Sequence, residues 1–344
     1  MSSERALGPV TVLGACILDV LGRPVEAIPP GQGSVRLAEI RATAAGTAAG
    51  TAVDLAKLGA SVHAIGALGD DLLGDMVTAA MARNGVDTSG LARKPGVQTS
   101  ATILPIRPSG ERPALHVPGA TRLLQRQDVD LDRIRNSRAL LIGAPDALGP
   151  VVEDGLAEVI QAARSNNVLV AVDVLHPGHP RDLQRIAPIL AGTDWFLPNA
   201  DQLLALTARD DLHAAIKDIH ALGTPNVAVT LGAEGCLISA DKQQALLEAI
   251  KVDVTDTTGC GDAFTAGMLA GLLLGVDPQT AARLGLACGA LVATGLGSDA
   301  GIENLGQVLD FLARTHPAAA ARLKGRLEGN RLEGRLQLAR EHPK

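Results

Sequence analysis

Hydrophobic and polar positions alternate between two periods along almost the whole chain. Short runs rich in Val, Ile and Leu read as buried strands: VTVLGACILDV near the start, SVHAIGALG at 61–69, ALLIGA at 139–144, VLVAVDVL at 168–175, DWFLPN at 194–199 and NVAVTLG at 226–232. Between them, TAAGTAVDLAKLGA (47–60), DLLGDMVTAAMARNG (71–85) and VVEDGLAEVIQAARSNN (151–167) repeat apolar residues at helical spacing. The alternation predicts an α/β protein with a doubly wound, mainly parallel sheet flanked by helices. Two segments, about 20–43 and 97–120, break the rhythm. They contain PPGQGSVRLAEIRA in the first and TSATILPIRP and ERPALHVPGA around a PSG turn in the second. Both read as extended strands without intervening helices. They predict a small inserted β lid over the C-terminal ends of the body strands, where open sheets bind ligands. Residues 8–320 are thus expected to form one domain with this lid. Residues 321–344, with seven Lys/Arg against three Glu, are expected to be a charged tail, either a solvated helix or a frayed end.

With 47% hydrophobic residues, a chain of 344 residues can bury one large core. A net charge of −6 gives no nucleic-acid surface. Trp195, Phe196, Phe264 and Phe311 are the only aromatic residues, which argues against stacking on single-stranded bases as the main activity. Cys16, Cys236, Cys260 and Cys288 lie far apart and read as buried thiols in a reducing compartment. The N-terminal apolar run has no basic segment before it and is interrupted by Asp19, so a signal peptide is not expected. No stretch reaches the roughly 20 apolar residues of a membrane span. A cytoplasmic protein acting on a small molecule, without membrane or nucleic-acid partners, is the expectation.

The densest chemistry lies in DTTGCGDAFTAG (256–267), ahead of the apolar run MLAGLLLG. Its glycines allow a tight turn, and the run after them suits a buried helix beginning near Asp262. Free N–H groups at that helix start would hold an anion, with a carboxylate at its edge. Such a pair suits a base that takes a proton from a hydroxyl while the hole holds phosphate charge. The plainer alternative is a helix-capping Asp after a glycine turn. GxxxxGK[ST], GxSxG and HExxH patterns are missing, and Phe264 breaks GxGxxG. Cys260 at the helix start could be an activated thiolate, but no His lies near it in sequence. His176 and His179, in LHPGHP, read as a surface turn rather than a metal site.

This stretch resembles the second signature of the ribokinase-like (PfkB) carbohydrate kinases. IGALGDDLLGDMVTAAMARNGVDTSGL (65–91), PNADQLLALT (198–207) and TLGAEGCLI (230–238) resemble further family segments, in the expected order. The resemblance implies a ribokinase-like fold and an ATP- and Mg2+-dependent kinase acting on a sugar hydroxyl. It implies Asp262 as general base, and Gly259, Cys260 and Gly261 as the anion hole. Asp19 and Gly46 would meet the sugar, together with position 50, where Gly50 replaces a usual Asn. Thr230, Gly232 and Gly235 would line the nucleotide, with Asn199 on the phosphate and magnesium side. Gln202 stands where the family usually has Glu. Asp256 and Thr258 match positions that help hold a monovalent cation such as K+ in many members. A homodimer through the lid is also implied. The alternatives are a nucleoside kinase on the same fold, or a sugar- or nucleotide-binding regulator. Neither lid segment contains an aromatic residue, which favours a monosaccharide over a nucleoside. They offer Arg36, Arg41, Arg107, Arg112 and His116 instead; one of these pointing inward would favour an anionic acceptor.

Overall fold

The computed structural model describes residues 7–341, with side chains described to residue 330. In chain order the strands are β1 (Pro9–Gly14), β2 (Ile17–Arg23), β3 (Glu39–Ala45), β4 (Ser61–Gly69), β5 (Asp87–Lys94), β6 (Ala101–Pro105) and β7 (Leu115–Val117). They continue with β8 (Ala139–Gly143), β9 (Leu169–Asp173), β10 (Trp195–Phe196), β11 (Asn226–Thr230), β12 (Cys236–Ala240) and β13 (Gln243–Leu247). Nine of them form the body sheet, in the order β13-β12-β11-β10-β9-β8-β1-β4-β5. Its strands pair in parallel from β11 to β5, and only the β11–β12–β13 edge is antiparallel. Helices cover both faces, so central strands such as β8 are buried at every position. That explains why they read as continuous apolar runs rather than alternating ones.

The predicted lid is a separate four-stranded sheet, in the order β3-β2-β6-β7. β2 runs antiparallel to β3 and parallel to β6, and β7 closes the edge. The inner face carries Asp19, Leu21, Thr102 and Leu104. The other face leaves Ile40, Ile103, Leu115 and Val117 exposed. Beyond its root, the lid shares with the body a small cluster of Leu21, Leu104, Ile106 and Leu296. Polar ties add to it: Arg41 reaches the Leu296 carbonyl at 2.9 Å and Asp299 at 2.9 Å, and Ser298 Oγ donates to the Ala44 carbonyl at 2.9 Å.

Several expectations about single elements are corrected. VTVLGACILDV is two strands in two sheets, parted at Ala15–Cys16. The Ala15 N–H donates to Gly143, and its carbonyl accepts from Ala48 and Ala49 at the start of the helix Thr47–Lys57. The peptide unit is thus held by a neighbouring strand end and a helix end, and the chain leaves the body sheet there. Asp19 consequently lies within a lid strand, not at the end of the first body strand. The helix expected over 151–167 is broken at Gly155 into Val151–Asp154 and Leu156–Arg164. β5 was not foreseen, because DTSGLARK shows neither alternation nor a β-branched run. The tail is a helix, Pro317–Glu341; residues 342–344 of the expected tail lie outside the described residues.

Candidate active site

The glycine turn before the buried helix Cys260–Leu273 is held by its own aspartate. Asp256 Oδ1 accepts from the N–H and hydroxyl of Thr258 at 3.0 and 2.8 Å, and Oδ2 accepts from Gly297 N–H at 2.9 Å. Gly259 is left-handed, φ 81°, and packs so tightly on Ser298 that a Cβ would collide. No side chain caps the helix start. Among the described residues, the N–H groups of Gly259, Gly261 and Asp262 have no partner. Cys260 N–H reaches only the Thr257 carbonyl, at 3.4 Å. These donors converge on one helix end, as an anion-binding site requires.

Asp262 stands in the first turn of that helix. Burial pushes its carboxyl up to about 7; the charge of Asp19 adds to this, and Arg112 opposes it. Asp19, in β2, is pushed up to about 6 by burial, against a hydrogen bond from Thr102 and the charge of Arg112. Asp19 thus belongs to the lid and Asp262 to the body, and the charge of Asp19 acts on Asp262. Burial also pushes the Cys260 thiol up to about 12, with Asp256 and Asp262 adding and Arg112 opposing. A thiol of that kind stays protonated at neutral pH, so the thiolate alternative lacks its nucleophile.

Arg112 comes from the β6–β7 connection and donates Nε–H to Thr257 Oγ1 at 3.2 Å, in the turn that leads to the unpartnered N–H groups. Of the lid arginines read in the sequence, Arg41 pairs with Asp299 and Arg107 with Glu111. Arg112 is the one whose charge acts on Asp19, Cys260 and Asp262. Charge alone could not single it out in the sequence.

Gly46 caps the helix Thr47–Lys57, and Gly50 lies in its first turns, against Asp262. At Gly46, φ 83°, a Cβ would lie 2.7 Å from the Ala15 carbonyl oxygen. At Gly50 a Cβ would lie 2.6 Å from Asp262 Oδ2. An Asn at this position would therefore collide with the Asp262 carboxylate as it stands here.

One turn after Gly50 lies Asp54, which the sequence reading did not single out. It is fully buried, and neither carboxylate oxygen has a hydrogen-bond partner. Burial holds its carboxyl well above the usual range; Lys57 opposes this, and Asp262 and Asp299 add to it. The Lys57 ammonium donates to the Asp299 carbonyl. Asp54→Ala is expected to stabilise the fold by about 1–3 kcal/mol at pH 8, the cost of an unsatisfied buried polar group. A raised folded pKa costs stability as pH rises above the unfolded value, so the gain should shrink towards pH 4. Denaturant melts at pH 4.5 and pH 8 check this; a variant less stable than the parent at pH 8 would refute it.

On the nucleotide side, Asn199 caps the helix Ala200–Thr207. Its Oδ1 accepts from Gln202 N–H at 2.9 Å, and Gln202 Oε1 accepts from Asn199 N–H at 2.8 Å. Gln202 Nε2 donates to the Val174 carbonyl at 2.9 Å. Gln at this position thus completes a capping box and ties the helix to the turn after β9. With its oxygen committed, the amide N–H2 of Asn199 has no partner among the described residues. Thr230 ends β11 and bridges to Asn199. Gly232 and Gly235 follow, both with positive φ, 56° and 110°. Asp173, at the end of β9, is a further buried carboxylate missed in the sequence. Its pKa is held up by burial and by Asp262, and it accepts from Thr265 Oγ1 at 3.1 Å.

This geometry has relatives. Residues 9–305 match the model of the pfkB family carbohydrate kinases. A sugar kinase of Archaeoglobus fulgidus is 32% identical over 234 residues, 67% of this chain and 90% of that protein. A candidate ribokinase II of Escherichia coli, solved in complex with ATP and Mg2+, superposes with a TM-score of 0.78. It is 22% identical, and the match covers 89% of this chain and 99% of that one. Aminoimidazole riboside kinase of Salmonella enterica, solved with its riboside and an ATP analogue, gives a TM-score of 0.72 at 25% identity. That match covers 88% of this chain and 99% of the other. The two-sheet architecture is therefore the ribokinase-like fold, and the chain belongs to the pfkB family of carbohydrate kinases.

Proposed function

We propose that the protein transfers the γ-phosphoryl group of ATP to a hydroxyl of a monosaccharide or close relative. The observation that carries this reading is the opposition of Asp262, beside unpartnered N–H groups, and Asp19 on the lid strand above it. Asp19 would accept from sugar hydroxyls, since one carboxylate can take two adjacent donors. Asp262 would take the proton of the reacting hydroxyl, and the N–H groups of the helix end would meet charge on the moving phosphoryl. Asn199, Thr230, Gly232 and Gly235 would line ATP. Mg2+ is usually held by phosphates and one or two carboxylates, and it would supply further charge neutralisation. Asp173 suits that need, because a nearby divalent cation returns such a carboxyl to its charged form. Asp256 and Thr258 fix the turn, and a K+ ion beside them would serve the same anion hole.

A nucleoside acceptor is the second reading, favoured by the riboside held by the Salmonella relative. Against it, the inner lid face offers Leu21, Thr102, Leu104 and His116, and no Phe, Tyr or Trp ring for a base. ADP release over a panel of pentoses, hexoses, sugar acids, sugar phosphates, inositols and nucleosides tests both readings. A monosaccharide or its derivative is expected to give the highest kcat/KM. A nucleoside as best acceptor would overturn the choice of substrate, and no ADP release with any acceptor would overturn the kinase reading.

The exposed row Ile40, Ile103, Leu115 and Val117 on the outer lid face suits burial against a second copy. We propose a homodimer through this face. Ile103→Asp is expected to shift the protein from dimer to monomer in light scattering; a parent that is monomeric at 50–100 µM (roughly the range where weak interfaces form) would refute it.

A further inference from the structure

The strand register lays a polar row across the inner lid face. Asp19 on β2 is opposite Thr102 on β6, and Thr102 is opposite His116 on β7. Thr102 hydrogen-bonds Asp19, and its hydroxyl lies 3.1 Å from His116 Nδ1. Two interstrand spacings, about 10 Å, separate the ends of the row. The reading of Asp19 as the sugar carboxylate leaves the His116 end of this row unused.

Two body elements meet the row at that end. The turn after β9 presents His176, whose ring and N–H both bind Asp146 Oδ2, at 3.1 and 2.7 Å. The Asp146 side chain is 1% exposed and also accepts from Leu175 N–H, so it is a buried fixture that holds the imidazole with one nitrogen outward. The turn after β7 presents Arg122, which is exposed and has no hydrogen-bond or ion-pair partner among the described residues. Burial and the charges of His176 and Arg122 lower His116. The Asp146 bond raises His176, while Arg122 acts against it. Packing brings the three together: the Arg122 backbone lies against Gly149, in the loop whose Asp146 holds His176, and His116 ends the lid row. Asp182 also lends its charge to His176, and among the described residues Asp146 is the only carboxylate bonded to any of the three.

We propose that this space is an anion subsite for the acceptor: its substrate carries a carboxylate or phosphate at the end remote from the reacting hydroxyl, received by Arg122, His116 and His176. This rests on the sugar-kinase reading and narrows it to sugar acids or sugar phosphates. An extended chain of five or six carbons with hydroxyls at Asp19 brings its charged end to the His116 side. Arg122 can take both oxygens of that end in a forked contact.

The test uses a matched set: a neutral aldose, its aldonic acid and its terminal phosphate ester, assayed by ADP release. One of the two anionic members is expected to exceed the neutral sugar about tenfold or more in kcat/KM, mainly through KM, and which one wins tells carboxylate from phosphate. In Arg122→Gln and in His176→Asn the anionic-over-neutral ratio should fall about tenfold. A neutral sugar as best acceptor, or variants that lower all three members alike, would overturn the subsite while leaving the kinase reading intact. If no member of the set is phosphorylated, the wider panel decides the kinase reading, and binding without nucleotide decides the subsite. Thermal stabilisation by an anionic member but not the neutral one, lost in Arg122→Gln, supports it; equal shifts, or none, overturn it.

Discussion

Asp262→Asn is expected to lower kcat by about 10²- to 10⁴-fold, the usual contribution of a positioned general base, while leaving ATP affinity and fold unchanged. Asn keeps the shape of the side chain and its place in the first helical turn but cannot take up a proton. The pH profile gives a second readout. With the Asp262 carboxyl pushed up to about 7, kcat/KM of the parent should fall tenfold per unit below that pH. The residual activity of the variant should lack this limb. Near-normal turnover, or an unchanged limb in the Asn variant, would remove Asp262 from the chemistry.

Gly50→Ala is expected to separate activity from stability. An added Cβ would stand 2.6 Å from Asp262 Oδ2, 3.1 Å from its Cγ and 3.2 Å from its Cβ. Rotation carries the carboxylate away, the Cβ contact asks the two helices to part slightly, and the preference for Ala over Gly within a helix, about 1 kcal/mol, offsets that cost. A base displaced by about 1 Å loses on the order of 10²-fold in rate. A variant as stable as its parent, or more so, with kcat down about a hundredfold is the expected pair of results. Thermal melts and steady-state kinetics on the same preparation check it, and an unchanged kcat would show that Asp262 reacts from another rotamer. Gly50→Asn should be worse still, although Asn is usual in the family at this position.

Much of this was legible before any coordinates. The alternating periods marked the body sheet because its central strands are buried on both faces, and the absence of helices marked the lid. The glycine turn and Asp262 were visible because a tight turn that leaves helix-start N–H groups open needs glycines, and they stand in the sequence. What stayed hidden depends on long-range contact. VTVLGACILDV looks continuous because both of its halves are buried; only the bonds from Ala15 to Gly143, Ala48 and Ala49 divide it. Arg112 is one arginine among several until the chain folds it over Thr257. Asp54 and Asp173 carry no motif, and their interest arises from burial alone. Gln202 looked like a loss of charge and proved to be half of a reciprocal cap.

Only Ala15 and Cys16 separate β1 from β2, so Asp19 rides on the lid sheet while Asp262 stays with the body. In the proposed mechanism, the residue that would check the acceptor and the residue that would activate it are thus mounted on opposite jaws. A water molecule offers Asp19 no pair of neighbouring hydroxyls to grip, so it cannot draw the jaws together as a sugar can. The acceptor, rather than the nucleotide, would therefore act as the key, and the connectivity of a single strand would restrain idle turnover of ATP.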